Sequence, residues 1–250
     1  MSIPVIRVID APVSALTLRH QLETILSWAT NRESRYVCVA NVHMLMEAHW
    51  APDFRSVLES ADLVAPDGMP LVWMMRRLGS KSQDRVAGMD LTTGVLAGAE
   101  KSGLPVYFLG GTDAVLASIR NRLKRDYPNL KIAGMEAPPF RALNSEEENE
   151  LINRIKHSDC AILFVALGCP KQERWMAKNS HLLGCVMVGV GGVFPVYAGL
   201  QKRAPRWIRQ AGLEWLFRLA QEPNRLWGRY WRTNLPFIFL AIRQLASKAS

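Results

Sequence analysis

Cysteine, histidine and long apolar runs are scarce in this chain, and each scarcity closes a class of function. The four cysteines of the 250 residues (Cys38, Cys160, Cys169, Cys185) form no CxxC pair, and three lie in or at the end of apolar runs. They read as buried, reduced thiols, not as a disulfide framework or a metal knuckle. The five histidines are scattered, and His43 and His49 lack the spacing of a helical zinc pair, so no metal site is expected. A membrane helix needs about 20 apolar residues. The longest uncharged stretch, Cys185 to Gln201, is interrupted by Gly191-Gly192 and Pro195 and reads as a buried strand and loop. The opening MSIPVIRVID has no basic-then-apolar leader pattern, which places the expected location on the cytoplasmic side. Internal repeats and low-complexity segments are also missing.

What is present is a core-forming composition with a lopsided charge. The chain is 49% hydrophobic and 21% charged, enough apolar material for a full core. Its net charge of +9 is concentrated at one end: residues 201–250 hold ten Lys/Arg and two Asp/Glu, a net of +8, which leaves +1 for residues 1–200. The same fifty residues hold four of the eight Trp. A nearly neutral body, 1–200, followed by a basic, Trp/Arg-rich appendage, 201–250, is the expected division.

Residues 1–200 alternate strand-like and helix-like runs. VIRVI (5–9), YVCVA (36–40), DLVAP (62–66), VYFLG (106–110), KIAGM, CAILFVALG (160–168) and CVMVGVG (185–191) read as strands. Apolar residues at helical spacing predict helices over 14–30, 42–60, 68–78, 89–102, 113–126, 145–157 and 170–183. Strands that are apolar throughout are expected where helices cover both faces of a parallel sheet. The alternation predicts an open, doubly wound α/β fold.

In such sheets ligands bind beyond the carboxyl ends of the strands, and unusual residues fall there. Asn41 follows YVCVA, Asp67-Gly68 follows DLVAP, Gly110-Gly111-Thr112 follows VYFL, Gln172 lies in GCPKQE, and Gly191-Gly192 follows VMVGV. Backbone N–H groups at a Gly-rich helix start suit a diphosphate, but neither GxGxxG nor GxxxxGK[ST] is spelled, and a tight turn capped by Thr112 is an equal reading. Asp67 alone reads as a helix-capping acid. Arg85 and Asp90 alone read as a surface base and a cap, and Gly191-Gly192 has the same two readings as the 110–112 turn. Together a carboxylate, an Arg, two amides and several Gly turns suit an anionic, polyhydroxylated ligand.

The tail interleaves Arg and Trp. Nucleic acid takes basic residues with stacking aromatics; an anionic membrane takes Arg charge and interfacial Trp. The apolar LPFIFLAI, 235–242, has little use on a nucleic acid and is too short to span, so a membrane surface is the expected partner.

VANVHMLM, APDGMPLVW, RVAGMDL, FLGGT, ALGCPKQERW, GVGGVF and RAPRWIRQAGLEWLFRLAQEPNRLWGRY, in this order, resemble the WecG/TagA/CpsF glycosyltransferases of bacterial cell-envelope polysaccharide synthesis. The resemblance covers most of 5–235. It implies a Rossmann-like open, mostly parallel sheet with helices on both faces, plus a C-terminal helical basic appendage. It also implies inverting transfer of a sugar, typically N-acetylmannosamine, from a UDP-sugar donor to a polyprenyl-diphosphate-linked acceptor. No DxD pair lies at a strand end, so no obligatory divalent metal and no cofactor are expected, and the apolar tail patch argues for no nucleic acid partner. Asp67 matches the family's proposed catalytic base, Asn41 and Arg85 pocket residues, and Gln172 a pocket amide. Arg206, Arg209, Arg218, Arg225, Arg229 and Arg232 match the Arg-rich part that meets the acceptor diphosphate. Peripheral membrane attachment and self-association through the core are further implications. Val39 stands where members often carry Thr, and Pro195 where they often carry Asp, so the resemblance leaves the donor sugar open. A non-catalytic nucleotide-sugar binder in an envelope assembly complex is the alternative from another class.

Overall fold

ILFVA, YVCVA and VYFLG are apolar at nearly every position, and each becomes a strand buried along almost its whole length. The computed structural model describes residues 3–249. Their order is β1 (Val5–Val8), β2 (Ala11–Ser14), α1 (Leu18–Thr30), β3 (Arg35–Ala40), α2 (Val42–Trp50), α3 (Pro52–Glu59), β4 (Leu63–Pro66), α4 (Met69–Arg77), α5 (Gly88–Ser102), β5 (Val106–Gly110), α6 (Asp113–Asp126), β6 (Ile132–Glu136), α7 (Ser145–His157), β7 (Ile162–Ala166), α8 (Lys171–Asn179), β8 (Val186–Gly189), α9 (Val193–Tyr197), α10 (Arg206–Gln210), α11 (Glu214–Gln221) and α12 (Pro223–Ala249).

The expected open α/β sheet forms. Its order is β4-β3-β8-β7-β5-β6, and β3, β8, β7, β5 and β6 pair in parallel in turn. β5 and β6 are joined by α6, and β7 and β8 by α8, the helical crossovers that parallel neighbours need. By contact density the chain forms two compact units. One comprises the residues up to Leu18, Val39–Ala87 and the chain from Arg203 on; the other comprises Arg19–Cys38 and Gly88–Lys202.

In the second unit Phe108 of β5 stacks on Phe164 of β7 at 5.3 Å between ring centres and packs against Phe194 of α9 at 5.8 Å. Such aromatic pairs are worth about 0.5–1.5 kcal/mol beyond their buried area. The charged helix α7 starts at a reciprocal cap: Asn144 Oδ1 accepts from Glu147 N at 2.9 Å, and Asn144 N donates back to Glu147 Oε2 at 2.9 Å. Arg141 and that backbone bond hold the Glu147 carboxyl down to about 2. The run 185–201, expected as strand and loop, carries the short α9 after β8, with Pro195 inside it.

In the first unit the helix expected from residue 14 starts only at Leu18, because Ala11–Ser14 pairs antiparallel with β1. Four residues including Pro12 carry too little periodicity to announce a strand. Ser14 Oγ then accepts from Val64 N at 3.0 Å, which satisfies a donor of β4, the last strand of the sheet. The tail differs most from its sequence reading. The apolar 235–242 patch is the middle of one 27-residue helix, α12, which runs through Pro236. Leu226, Thr233, Phe237 and Ala241 form its buried stripe. Gln244 grips the hairpin, with Nε2 donating to Arg7 O at 2.9 Å and Oε1 accepting from Ile9 N at 2.8 Å. Among the described residues no helix is long and apolar enough to cross a membrane.

Candidate active site

The strand-to-helix corner after β4 explains Asp67. Its N–H donates to Ala40 O at 2.7 Å, so the backbone there still belongs to the β3–β4 ladder. Gly68, not Asp67, takes the cap position of α4, with φ +119° and no side-chain cap hydrogen bond. Only glycine adopts that conformation without strain, and Pro70 supplies a ready-made first turn. The Asp67 carboxylate, one residue before the cap, accepts from Arg85.

Arg85 Nη2 donates to Asp67 Oδ1 at 3.2 Å and to Glu214 Oε2 at 2.5 Å. Arg85 stands beside β4 because Val86 N donates to Pro66 O at 3.0 Å. Arg76 Nε and Gln83 Nε2 tie down the loop before it, through Gln83 O at 2.9 Å and Leu16 O at 2.9 Å. The Arg85 side chain is 14% exposed and that of Asp67 27%. Burial works against the guanidinium charge, but the two carboxylates outweigh it and hold its pKa above the ordinary value. Arg85 Nε is buried without a hydrogen-bond partner among the described residues.

Glu214 arrives through a tight approach. Gly212, at φ +74°, ends the turn between α10 and α11, where a Cβ would lie 3.0 Å from the Trp73 ring and 3.1 Å from Met69 Cβ. Glycine lets this turn pack directly on α4, and Glu214 follows two residues later. No motif announced Glu214. The available signal was scarcity, since it is one of two acids among the last fifty residues.

Asn41, Asp67 and Arg85 line one cavity of about 990 Å³ in the first unit. Its walls are mainly apolar and come from α4, α11 and α12, with Trp73, Trp215 and Trp227 among them. Arg77, Arg209, Arg218 and Arg229 also line it. Asn41 caps α2, its Oδ1 accepting from Met44 N at 3.2 Å, which leaves its amide NH₂ as the donor for a ligand. Of the remaining tail arginines, Arg206 opens α10 and is exposed without lining the cavity, and Arg232 lies over the Trp50 ring at 5.0 Å. The side chain of Arg225 lies outside the described residues. On α12, Trp227, Trp231, Leu235, Ile238 and Ile242 line this cavity and also form an exposed apolar stripe, with Trp231 66% exposed.

The other expected residues belong to the second unit. Gly110, Gly111 and Gly191 have φ of +118°, +74° and +49°. A Cβ on Gly110 would lie 2.4 Å from Ala166 O, so β5 and β7 meet there only through glycine. Thr112 caps α6, accepting from Val115 N at 3.3 Å, and Asp113 already occupies the first turn. Gly192 precedes α9. Gln172 is 3% exposed: its Oε1 accepts from Gly168 N at 3.3 Å, and its Nε2 donates to Glu173 Oε1 at 2.5 Å. Burial pushes the Glu173 carboxyl up to about 7. Among the described residues no three of His, Cys, Asp and Glu cluster as metal ligands would.

A carboxylate gripped by arginine thus lies in a cleft of an α/β fold that is apolar on its walls and rich in cations. The chain belongs to the glycosyl transferase WecG/TagA/CpsF family, whose model matches residues 6–250, and is thus a glycosyltransferase. It is 36% identical over 209 residues to the N-acetylglucosaminyldiphosphoundecaprenol N-acetyl-beta-D-mannosaminyltransferase of Bacillus spizizenii, covering 83% of this chain and 78% of the relative. A protein of the same name from Bacillus subtilis is 33% identical over 178 residues, covering 71% of this chain and 67% of the relative.

Proposed function

We propose that the chain transfers a sugar from a UDP-sugar to a polyprenyl-diphosphate-linked acceptor, with inversion, at the inner face of the plasma membrane. The observation that carries this reading is the Asp67 carboxylate, held by Arg85 and lining a cavity whose walls are apolar and whose polar groups are mostly arginine. The names of the two relatives describe mannosaminyl transfer to a lipid-diphosphate sugar, which fits such a cavity.

The step is a single displacement. The acceptor hydroxyl attacks the anomeric carbon, its proton passes to an Asp67 Oδ, and the bond from that carbon to the donor phosphate breaks, its electron pair leaving with UDP. Arg85, Arg209 and Arg218 meet anionic oxygens as point and fork donors. In the second unit the glycine turns at 110–112 and 191–192, with positive φ at Gly110, Gly111 and Gly191, are the candidates for a diphosphate, although Gly191 N already donates to Val165 O at 3.4 Å. Gln172, fixed by Gly168 and Glu173, shapes the turn beside Gly191. Residues 201–250 dock on the bilayer. The exposed stripe of α12 supports this, because contiguous exposed apolar surface at a cationic face suits an anionic lipid surface.

A panel of UDP-sugars with a short-chain lipid-diphosphate acceptor, scored for UDP release, tests the reading. Release should require the acceptor and persist in EDTA. Asp67→Asn should lower turnover roughly 10²–10⁴-fold with an unchanged melting temperature. An Asp67→Asn enzyme of normal speed, or a panel with no acceptor-dependent release, overturns it.

A further inference from the structure

We propose that Glu214 is a positioning residue that keeps Asp67 basic: it holds the Arg85 guanidinium from a second side and so limits how far that cation neutralises the proton acceptor. The inference rests on Asp67 being the base. It addresses a conflict in the site. A base works best when its pKa lies near the working pH, whereas a carboxylate paired with Arg is driven down by about 1–3 units. An aspartate held by Arg85 alone would be a weak base.

The surroundings sharpen the conflict. Among the described residues lining the cavity, α4 contributes Arg77, α10 Arg209, α11 Arg218 and α12 Arg229, and Arg85 follows the 78–84 loop. From α2 comes His43, 3.7 Å from Glu47. Asp67 and Glu214 are the two acids among these lining residues. Every other full charge on these cavity walls is positive, and so pulls the proton affinity of Asp67 down.

Glu214 acts against that pull in two ways. It accepts from the same Arg85 Nη2 that donates to Asp67 Oδ1, so one NH₂ group is shared between the two carboxylates. Its own charge, across one NH₂ group from Asp67, also favours the protonated form of Asp67. Both effects have the same sign. Removing the charge at 214 frees Arg85 to close on Asp67 and lowers its pKa; the partly exposed setting of Asp67 keeps this at the small end, about one unit.

The test is a ¹³C-carboxyl NMR titration of the full chain, with the Asp67 signal assigned by its loss in Asp67→Asn, alongside the pH profile of kcat. In Glu214→Gln the Asp67 midpoint should fall by about one pH unit. The acid limb of kcat should move down with it, and the plateau should drop roughly 3- to 10-fold. A folded Glu214→Gln with an unmoved or raised Asp67 midpoint overturns the inference. If Glu214→Gln melts below wild type, Glu214→Asp must show a smaller shift in the same direction, and no shift there also overturns it. The two layers separate cleanly. An active Asp67→Asn removes the base reading whatever the titration shows, whereas an inactive Asp67→Asn with an unmoved midpoint in Glu214→Gln removes only the role of Glu214.

Discussion

Glu173 of the GCPKQE segment permits a prediction with a worked magnitude. The residue is fully buried. One carboxyl oxygen accepts from Gln172, and the other has no partner among the described residues. Burial raises its pKa from 4.5 to about 7, against the lowering effect of the Gln172 hydrogen bond. Below pH 4.5 the carboxyl is protonated in both the folded and the unfolded chain, and burial carries no ionisation cost. Above that the unfolded chain releases the proton while the folded chain keeps it. Stability therefore falls as pH rises, by about 1.4 kcal/mol per unit, reaching about 3 kcal/mol once the pH passes the folded value. In a chain of this size each kcal/mol is roughly 2–4 °C of melting temperature, so the loss is about 6–12 °C. Glu173→Gln keeps the shape and an acceptor oxygen for Gln172 but cannot ionise. Differential scanning calorimetry of both proteins at pH 4.5, 6 and 8 isolates the effect, because other titrating groups cancel in the difference. The variant should gain on the wild type steadily with pH. A difference in melting temperature that is the same at all three pH values would refute the reasoning.

Gly212→Ala should lower stability by about 1–3 kcal/mol, because it combines φ +74° with a Cβ 3.0 Å from the Trp73 ring; a melting temperature within a degree of wild type contradicts the close approach. The Trp227→Ser, Trp231→Ser double variant should bind vesicles rich in anionic lipid at least about tenfold more weakly in flotation. Wild-type binding should weaken as salt screens the arginines, and binding indifferent to both changes would remove the docking role of α12.

The sheet was legible because burial on both faces leaves a plain mark: runs such as ILFVA and YVCVA are apolar at every position and lie between turn residues. Short and locally ambiguous elements were not. Ala11–Ser14 forms a strand only because Val5–Val8 pairs with it, and that partner is tertiary information. The tail was legible in composition and illegible in shape. Pro236 and the polar residues around it divide the apolar pattern into pieces, and burial of Leu226, Phe237 and Ala241 within the first unit makes them one helix. Tertiary packing here overrides a residue that costs an isolated helix about 3 kcal/mol.

The corner at residues 67–68 shows where local reading of a site stops. Asp before a helix is a capping signal, and by sequence alone capping and proton abstraction are equally served by one carboxylate. The neighbour decides between them. Gly68 at φ +119° takes the cap position itself, so Asp67 stands one residue before it. The carboxylate of Asp67 has a partner far from it in sequence. That partner, Arg85, is 18 residues away, and the carboxylate that balances it, Glu214, is 129 residues from Arg85. Residue types at the strand ends could name the first member of this trio and suggest the second. The third depends on α11 coming to rest on α4 through Gly212, which only the folded chain displays.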